Sequence, residues 1–388
     1  MTITFFSNYL THHQIPFCEA MRKQPDVEFY FISTMPMEQE RKDGGWEFSE
    51  KYPYEIKAYE DAVQAKKARE LAVSSDVMVI GSASESYVKT RMKSGGNKLT
   101  LRYSERIYKA GRWRVLSPRG VWMRLNTYFR YLNKPLYMLC ASAYTAGDLA
   151  MLGSYLGRCY KWGYFPATKT YEDIEQILRQ KKPGTILWTA RMIYWKHPEI
   201  PVRIAARLKK EGYDFQLDMI GCGPMEPEIR RMIENENLQE QVHLLGTMSP
   251  EQVREQMEKH RIFLFTSDQH EGWGAVMNEA MNSGCAVVAN RQIGSVPFLL
   301  QDAGNGLIYN KGREVELYNR VKFLLDNPRE AARLGKNAYE TITDMWSAEP
   351  AAQRLLALCK NLLQGKTEAP YPEGPCSKAY ISSMKRSK

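Results

Sequence analysis

The sequence predicts two doubly wound α/β domains, and three observations carry that reading. Short apolar runs of strand length alternate with segments of helical periodicity along most of the chain. The alternation breaks at Phe165-Pro166-Ala167-Thr168-Lys169-Thr170 and begins afresh at Thr185-Ile186-Leu187-Trp188-Thr189-Ala190. The length, 388 residues, is long for one core and comfortable for two. The expected domains are therefore residues 1–166 and 167–345.

Composition narrows the class of protein. Hydrophobic residues make up 44% and charged residues 25%, which excludes a disordered or fibrous chain. No run approaches the ~20 apolar residues of a membrane-spanning helix. The seven cysteines are scattered, odd in number and lack a Cys-x-x-Cys pair, and residues 1–6 do not read as a signal peptide. Free thiols in a cytoplasmic protein are expected. The net charge of +10 is concentrated: between Tyr87 and Lys134 there are thirteen Lys and Arg against the single acid Glu105. The rest of the chain sums to −2. Tyr103, Tyr108, Trp113, Trp122, Tyr128, Phe129 and Tyr131 are interleaved with these cations. Such a block suits nucleic acid, a phosphorylated acceptor or an anionic membrane surface.

In the first domain, Thr2-Ile3-Thr4-Phe5-Phe6 reads as a buried strand and residues 26–32 as the next, with a helix from about Ile15 to Lys23 between them. The loop Ser7 to Gln14 follows the first strand, where open α/β sheets place ligands. His12 and His13 in it are candidates for the acceptor side of a site, with a helix-start or solvated role as the alternative. Residues 35–58, broken by Pro36, Gly44, Gly45 and Pro53, read as a mobile loop. A helix from Asp61 to Ser74 and a strand over 76–81 follow. The strand Leu99 to Tyr103 leads into Ser104-Glu105-Arg106, where Glu105 and Arg106 are further acceptor-side candidates. The helix after Pro118 would place Trp122, Leu125, Phe129 and Leu132 on one face, with Arg119, Arg124 and Arg130 off it. An ordinary packed helix and a membrane-contacting one both fit that pattern. The strand Leu136 to Cys140 completes the reading of this domain.

The second domain offers strands at 185–190, 215–220, 242–245, 262–266, 285–289 and 306–309. After Trp346 a helix carries Leu355, Leu356, Leu358, Leu362 and Leu363 and ends near Gln364. Residues 366–388, with three prolines and a basic end, are expected to be a disordered tail.

The chemistry concentrates in His270-Glu271-Gly272-Trp273-Gly274-Ala275-Val276-Met277-Asn278-Glu279. This stretch lies between two apolar strands, so it reads as the turn and helix of a βαβ unit. Gly272 and Gly274 allow close backbone approach to a ligand, Gly284 is placed as C-cap, and Val276, Met277, Ala280 and Met281 form the inward stripe. Two carboxylates, Glu271 and Glu279, remain outside that structural pattern.

Glu, seven residues, Glu, with Gly-aromatic-Gly after the first and a Gly-x-Ala-Val-Val strand beyond, resembles the retaining nucleotide-sugar glycosyltransferases of the GT-B fold, specifically family four. The resemblance implies two Rossmann-like domains facing each other across a cleft, with the 346–364 helix returning to the first. It also implies transfer of a sugar from a nucleotide-diphosphate donor, such as a UDP- or GDP-sugar, to a hydroxyl acceptor.

Arg191 and Lys196 match the family's Arg-x4-Lys, whose cations bind the diphosphate and stabilise charge as it develops there. Glu271 would lie against the donor sugar and Glu279 against the ribose hydroxyls. Gly221, Gly223 and Pro224 match a Gly-x-Gly-Pro turn, Gly246, Thr247 and Met248 a base-contacting loop, and amides near Gly272, Trp273 and Gly274 would face the diphosphate. The pattern departs from the family in two places: the first loop has no Gly-Gly pair, and Phe298 follows Pro297 where Glu is frequent.

No Asp-x-Asp loop presents itself as a metal site, so metal-independent transfer with no cofactor is expected. Partners would be the donor and a glycan or lipid-linked acceptor of cell-surface polysaccharide synthesis. No nucleic acid is expected, and the inner face of the cell membrane is a candidate location. The competing readings are a sugar-nucleotide epimerase or phosphorylase on the same fold, and a non-catalytic nucleotide-sugar-binding protein.

Overall fold

The computed structural model describes residues 1–39, 51–94, 97–109, 111, 117–310 and 312–380. Arg112, Trp113 and Arg114, residues 40–50 of the 35–58 loop and the basic end 381–388 lie outside the described residues, as does the side chain of Arg124. The chain forms two compact units, Met1–Ala167 with Trp346–Lys388, and Thr168–Met345.

The first unit is built on a parallel sheet of seven strands: β1 (Thr2–Ser7), β2 (Glu28–Ser33), β3 (Glu55–Lys57), β4 (Val77–Ile80), β5 (Leu99–Ser104), β6 (Leu136–Cys140) and β7 (Cys159–Lys161). Their order is β3-β2-β1-β4-β5-β6-β7. Phe5 of β1 is level with Phe31 on one side and Val79 on the other. β4 and β6 are buried at every residue. That is why they read as unbroken apolar runs: helices cover both faces of such a sheet. The strand order reverses between β1 and β4, so the Ser7–Gln14 loop stands at the switch point. The helix Ala348–Leu363 belongs to this unit and packs on the helix Ile15–Arg22, burying Ala352, Leu355, Cys359 and Leu362.

Three segments differ from the sequence reading. Part of the expected mobile loop is ordered, because Tyr54 and Ile56 are buried and β3 pairs with β2. The expected disordered tail is fixed through residue 380. It runs antiparallel to β7, with Lys161 N–H donating to Ser377 O (2.8 Å), Cys376 N–H to Lys161 O (2.8 Å) and Ala379 N–H to Cys159 O (3.0 Å). Cys376 and Ser377 are fully buried. The helix after Pro118 has ordinary pitch over Pro118–Met123 and a wider turn over Arg124–Phe129. The wider turn shifts the phase of the stripe, so Tyr128 is buried while Trp122 and Leu125 face solvent.

The second unit holds a parallel sheet of six strands: β8 (Thr185–Thr189), β9 (Gln216–Ile220), β10 (Val242–Gly246), β11 (Ile262–Phe265), β12 (Ala286–Asn290) and β13 (Leu307–Tyr309). The order β10-β9-β8-β11-β12-β13 places its switch point between β8 and β11. Ile186, Trp188, Leu217, Met219, Ile262, Leu264 and Val288 form the core beneath it.

Candidate functional site

The loops leaving β8 and β11 meet at this switch point. The β8 loop runs through Arg191 into a single tight turn, Tyr194–Lys196, and ends at His197 in a left-handed conformation. It is fastened to its neighbours by backbone bonds, Met192 N–H to Cys222 O (2.8 Å) and Asp268 N–H to Trp195 O (3.0 Å). The turn after β9 presses close: a Cβ on Gly221 would lie 2.0 Å from Ala190 O, at a φ of +119°. Only glycine fits there, which is the physical content of the Gly-x-Gly-Pro pattern. Gly221 N–H reaches Gly246 O (2.8 Å), so the loops after β8, β9 and β10 form one continuous rim. Thr247 adds a side-chain bond to Cys222 Sγ (3.3 Å), and Cys222, Pro224 and Thr247 are exposed on that rim, with Met248 half-buried.

Lys196 from the β8 loop bonds its ammonium to Oε2 of Glu271 from the β11 loop. Ser267 Oγ donates to the same oxygen (3.1 Å). Both partners keep about one-seventh of their side-chain surface in solvent, 15% and 14%. Arg191, five residues before Lys196, is exposed.

Asp268 braces the arrangement beneath. It accepts from His270 Nδ1 (2.8 Å) and His270 N–H (2.9 Å), and pairs with His197 Nε2 at 3.6 Å. His197 Nδ1 meets Glu199 Oε1 at 3.0 Å. Bonds to Asp268 and Glu199 raise the His197 imidazole to about 9 against the opposing effect of burial, so it is a cation at neutral pH. Although burial opposes its ionisation, the bonds from both imidazoles hold the Asp268 carboxyl below its ordinary range.

Beyond Glu271 the chain turns at Gly274 (φ +81°), where a Cβ would stand 2.2 Å from the Phe265 ring. Trp273 is fully buried, its indole N–H donating to Asn278 Oδ1 (2.9 Å) and its carbonyl accepting from Ser295 Oγ (2.5 Å). Trp273 therefore offers only backbone to a ligand. Phe298, in the family's frequent Glu position, lies with its ring 6.4 Å from Trp273. The helix Val276–Asn282 is seven residues long, and the amides of Trp273 and Gly274 precede it rather than cap it. Gly284 closes the helix: its N–H bonds Met281 O and Cys285 N–H bonds Ala280 O, both at 3.0 Å. Of the expected stripe, Met277, Ala280 and Met281 are fully buried and Val276 is half-buried.

Glu279 stands half-buried on that helix, and among the described residues its carboxylate has no hydrogen-bond partner. Burial raises it to about 7, partly offset by Arg254. Arg254 was not legible as a site residue. Its guanidinium donates to Glu279 O (3.2 Å) and to Asn282 Oδ1, holding the helix by its carboxyl end. Asp268 and His197 were likewise missed. Their signal is the Ser-Asp-Gln-His run ahead of Glu271 and the His-Pro after Lys196.

The acceptor-side candidates lie in the first unit. The His12 and His13 rings are 3.8 Å apart in the switch-point loop. Glu105 accepts from the Tyr164 hydroxyl (2.5 Å) and from Lys109. Arg106 is buried, paired with the fully buried Asp148 at 3.5 Å and laid over the Tyr144 ring. Asp148 also accepts from the Ile107 and Tyr108 amides (3.2 and 3.1 Å). The Arg106 guanidinium is thus part of the packing under its loop rather than a surface contact.

The two-sheet architecture is that of GT-B glycosyltransferases. A sucrose-phosphate synthase from Thermosynechococcus elongatus superposes with a TM-score of 0.66 at 17% identity, over 94% of this chain and 100% of its own. The Anabaena protein HepE, solved in complex with UDP, gives 0.64 at 14%, over 93% and 100%. Residues 170–341 match the model of the family described as Glycosyl transferases group 1, the class that the Glu271 and Glu279 motif resembles.

Alpha-D-kanosaminyltransferase of Streptomyces kanamyceticus is 26% identical over 177 residues, 46% of this chain and 45% of that protein. Poly(ribitol-phosphate) alpha-N-acetylglucosaminyltransferase of Staphylococcus aureus is 29% identical over 171 residues, 44% and 34% respectively. The chain spans less than half the length of these curated relatives.

Proposed function

We propose that the protein transfers a sugar from a nucleotide-diphosphate sugar to a hydroxyl of a glycan or lipid-linked glycan precursor, with retention at the anomeric carbon and without a metal. The observation that carries this reading is the Lys196–Glu271 pair at the switch point, with the Glu279 carboxylate, unpartnered among the described residues, on the helix beyond. As the bond from the anomeric carbon to the diphosphate breaks, negative charge grows on the departing oxygen. Lys196, Arg191 and the His197 imidazolium behind them supply fixed positive charge for it. The same cations serve the purpose a divalent ion serves in metal-dependent transferases.

Glu271, in contact with Lys196, would hold the sugar against its leaving group. Glu279 would accept the ribose hydroxyls, which gives its bare carboxylate two donors. The rim of Gly221, Gly223, Gly246 and Met248 offers backbone to the base. The names of the relatives support this class of donor and acceptor.

The test incubates the protein with a panel of UDP- and GDP-sugars and candidate glycan acceptors, with and without a chelator. Acceptor-dependent release of nucleotide, with retained anomeric configuration in the product, is the expected result. Release or C2 inversion that needs no acceptor would overturn the reading in favour of an epimerase.

A further inference from the structure

Five of the large apolar side chains that the structure leaves in solvent belong to two adjoining segments of the first unit: Val121, Trp122 and Leu125 on the helix after Pro118, and Met151 at the end of the helix Thr145–Met151 with Leu156 on the turn after it. Trp122 is 57% and Leu125 58% exposed. The two segments are bolted into one surface. Ser154 Oγ donates to Tyr128 O (2.9 Å), Arg158 donates to Leu132 O (2.8 Å) and Lys134 O (3.0 Å), and the Tyr128 and Tyr155 rings meet edge to face at 6.4 Å. Clustering of this kind marks a face that something covers.

The charges around it say what. Of the thirteen cations between Tyr87 and Lys134, Arg91 is buried among backbone carbonyls, Arg102 is clamped by Glu85 and Arg106 by Asp148. Arg119 and Arg130 remain exposed on the same helical segment as Trp122, and Lys93 on the helix Glu85–Ser94, which Arg102 ties to Thr127 O.

We propose that this face docks on an anionic lipid surface, with Trp122, Leu125 and Leu156 entering the headgroup boundary and the arginines meeting the lipid charge. A second copy of the chain is disfavoured, since it would bring like charges together. RNA is disfavoured because four of the five side chains, Val121, Leu125, Met151 and Leu156, offer no ring for a base to stack on, leaving Trp122 alone of the five as a platform. The surface lies in the unit that does not carry the carboxylate motif, so the inference stands whether or not the proposed transfer is right.

The full-length protein is sedimented with phosphatidylcholine vesicles of increasing phosphatidylglycerol content, at low and moderate salt. Binding should rise with phosphatidylglycerol and fall with salt. The double variant Trp122→Glu, Leu125→Glu should lose about tenfold or more in binding, the loss of two anchoring side chains. Arg119→Glu with Arg130→Glu should weaken binding and flatten its salt dependence. All four side chains are exposed, so unchanged melting temperature and gel-filtration volume are expected and separate loss of docking from loss of fold.

Three outcomes would overturn the proposal. One is no sedimentation with strongly anionic vesicles at low salt. Another is equal binding by wild type and the Trp122→Glu, Leu125→Glu variant. The third is a concentration-dependent dimer that Trp122→Glu abolishes, which would make the face a self-association surface.

Discussion

The Lys196 ammonium and the Glu271 carboxylate, 75 positions apart in the chain, are each other's counterion at the junction of β8 and β11. A diphosphate carries more negative charge than one carboxylate, so on the proposed function an arriving donor would draw Lys196 toward itself. Glu271 would then be released to the sugar, still steadied by Ser267. The resting pair would thus compete with the donor for the cation.

That competition gives opposite signs for two variants. Lys196→Ala and Arg191→Ala should each lower transfer by ~10²-fold or more, because a fixed charge is removed where charge develops. Glu271→Gln should also lower transfer, yet it should leave nucleotide-diphosphate affinity unchanged or tighter, since Lys196 loses its internal partner. Titration calorimetry with UDP and GDP alongside initial rates separates the two effects. Weaker nucleotide binding by Glu271→Gln would remove the competition from the picture.

Glu279 should make nucleotide binding pH-dependent. Its carboxyl ionises at about 7 in the ligand-free fold, above the ordinary value of 4.5. Ribose hydroxyls donate to the charged form, so affinity should be full above this pH and fall as pH drops through 7 to 6. The same raised value costs the empty fold stability in the other direction. The unfolded carboxyl ionises from about 4.5 upward while the folded one does not, so the contribution is lost between 4.5 and 7. Glu279→Gln should abolish both effects, lose ~1–3 kcal/mol of nucleotide binding near pH 8, and gain in melting temperature relative to wild type as pH rises. Comparing wild type with this variant at each pH cancels the ionisation of the nucleotide's own phosphate. Parallel pH profiles for the two proteins would exclude ionised Glu279 from the site.

Much of this was legible in the sequence, and what was missed has a physical cause in each case. The central strands announced themselves because both their faces are covered, leaving no polar residues to interrupt the run. β3 and β7 were not seen, since three residues with one or two buried side chains leave no period to read. The helix Glu85–Ser94 escaped notice because one of its three buried residues is Arg91, whose charge is satisfied by carbonyls of Ala72, Ser75, Asp76 and Leu99. The carboxylates and cations of the site were visible as residue types at fixed spacing. Their mutual pairing was not, because a contact across 75 positions follows from strand order and leaves no local mark. The burial of the acceptor-side candidate Arg106 is not legible for the same reason: its partner Asp148 is far along the chain.

Asn282 should prove to be a stability determinant although it touches no predicted ligand. Its fully buried amide donates to Lys169 O (3.0 Å) and accepts from Lys169 N–H (2.8 Å) and from Arg254. The helix of Glu279 is thereby fastened to the first residues of the second unit, where Tyr171 N–H also reaches the Tyr339 hydroxyl (3.1 Å). Asn282→Ala strands two backbone groups and a guanidinium, each costing ~1–3 kcal/mol when unpaired. Thermal denaturation should show a fall of several degrees, and amide exchange should quicken at residues 168–171. Asn282→Asp keeps the acceptor and should be milder. An Ala variant as stable as wild type would mean that water replaces the side chain.

The C-terminal segment should behave as a structural strand rather than as a tail. Residues 376–379 cover the outer edge of β7, which would otherwise present the Cys159 and Lys161 backbone groups to any passing strand. The cover is anchored at both ends: the Tyr160 hydroxyl donates to Thr367 O (2.7 Å), Lys378 Nζ donates to Gly157 O (2.7 Å), and Arg354 donates to Glu373 O (2.6 Å). Ala379→Pro deletes the N–H that reaches Cys159 O, and proline cannot donate within a ladder. The loss of one paired amide and the strain around it should lower the melting temperature. Ending the chain at Gln364 should do more, uncovering the whole β7 edge and the apolar surface that Cys376 fills. For the shortened chain, light scattering should show aggregation on warming that begins below the wild-type melting temperature. If instead the shortened chain melts with the full-length protein and stays monodisperse, residues 366–380 contribute nothing to the first unit, and the edge of β7 is protected by its own shortness.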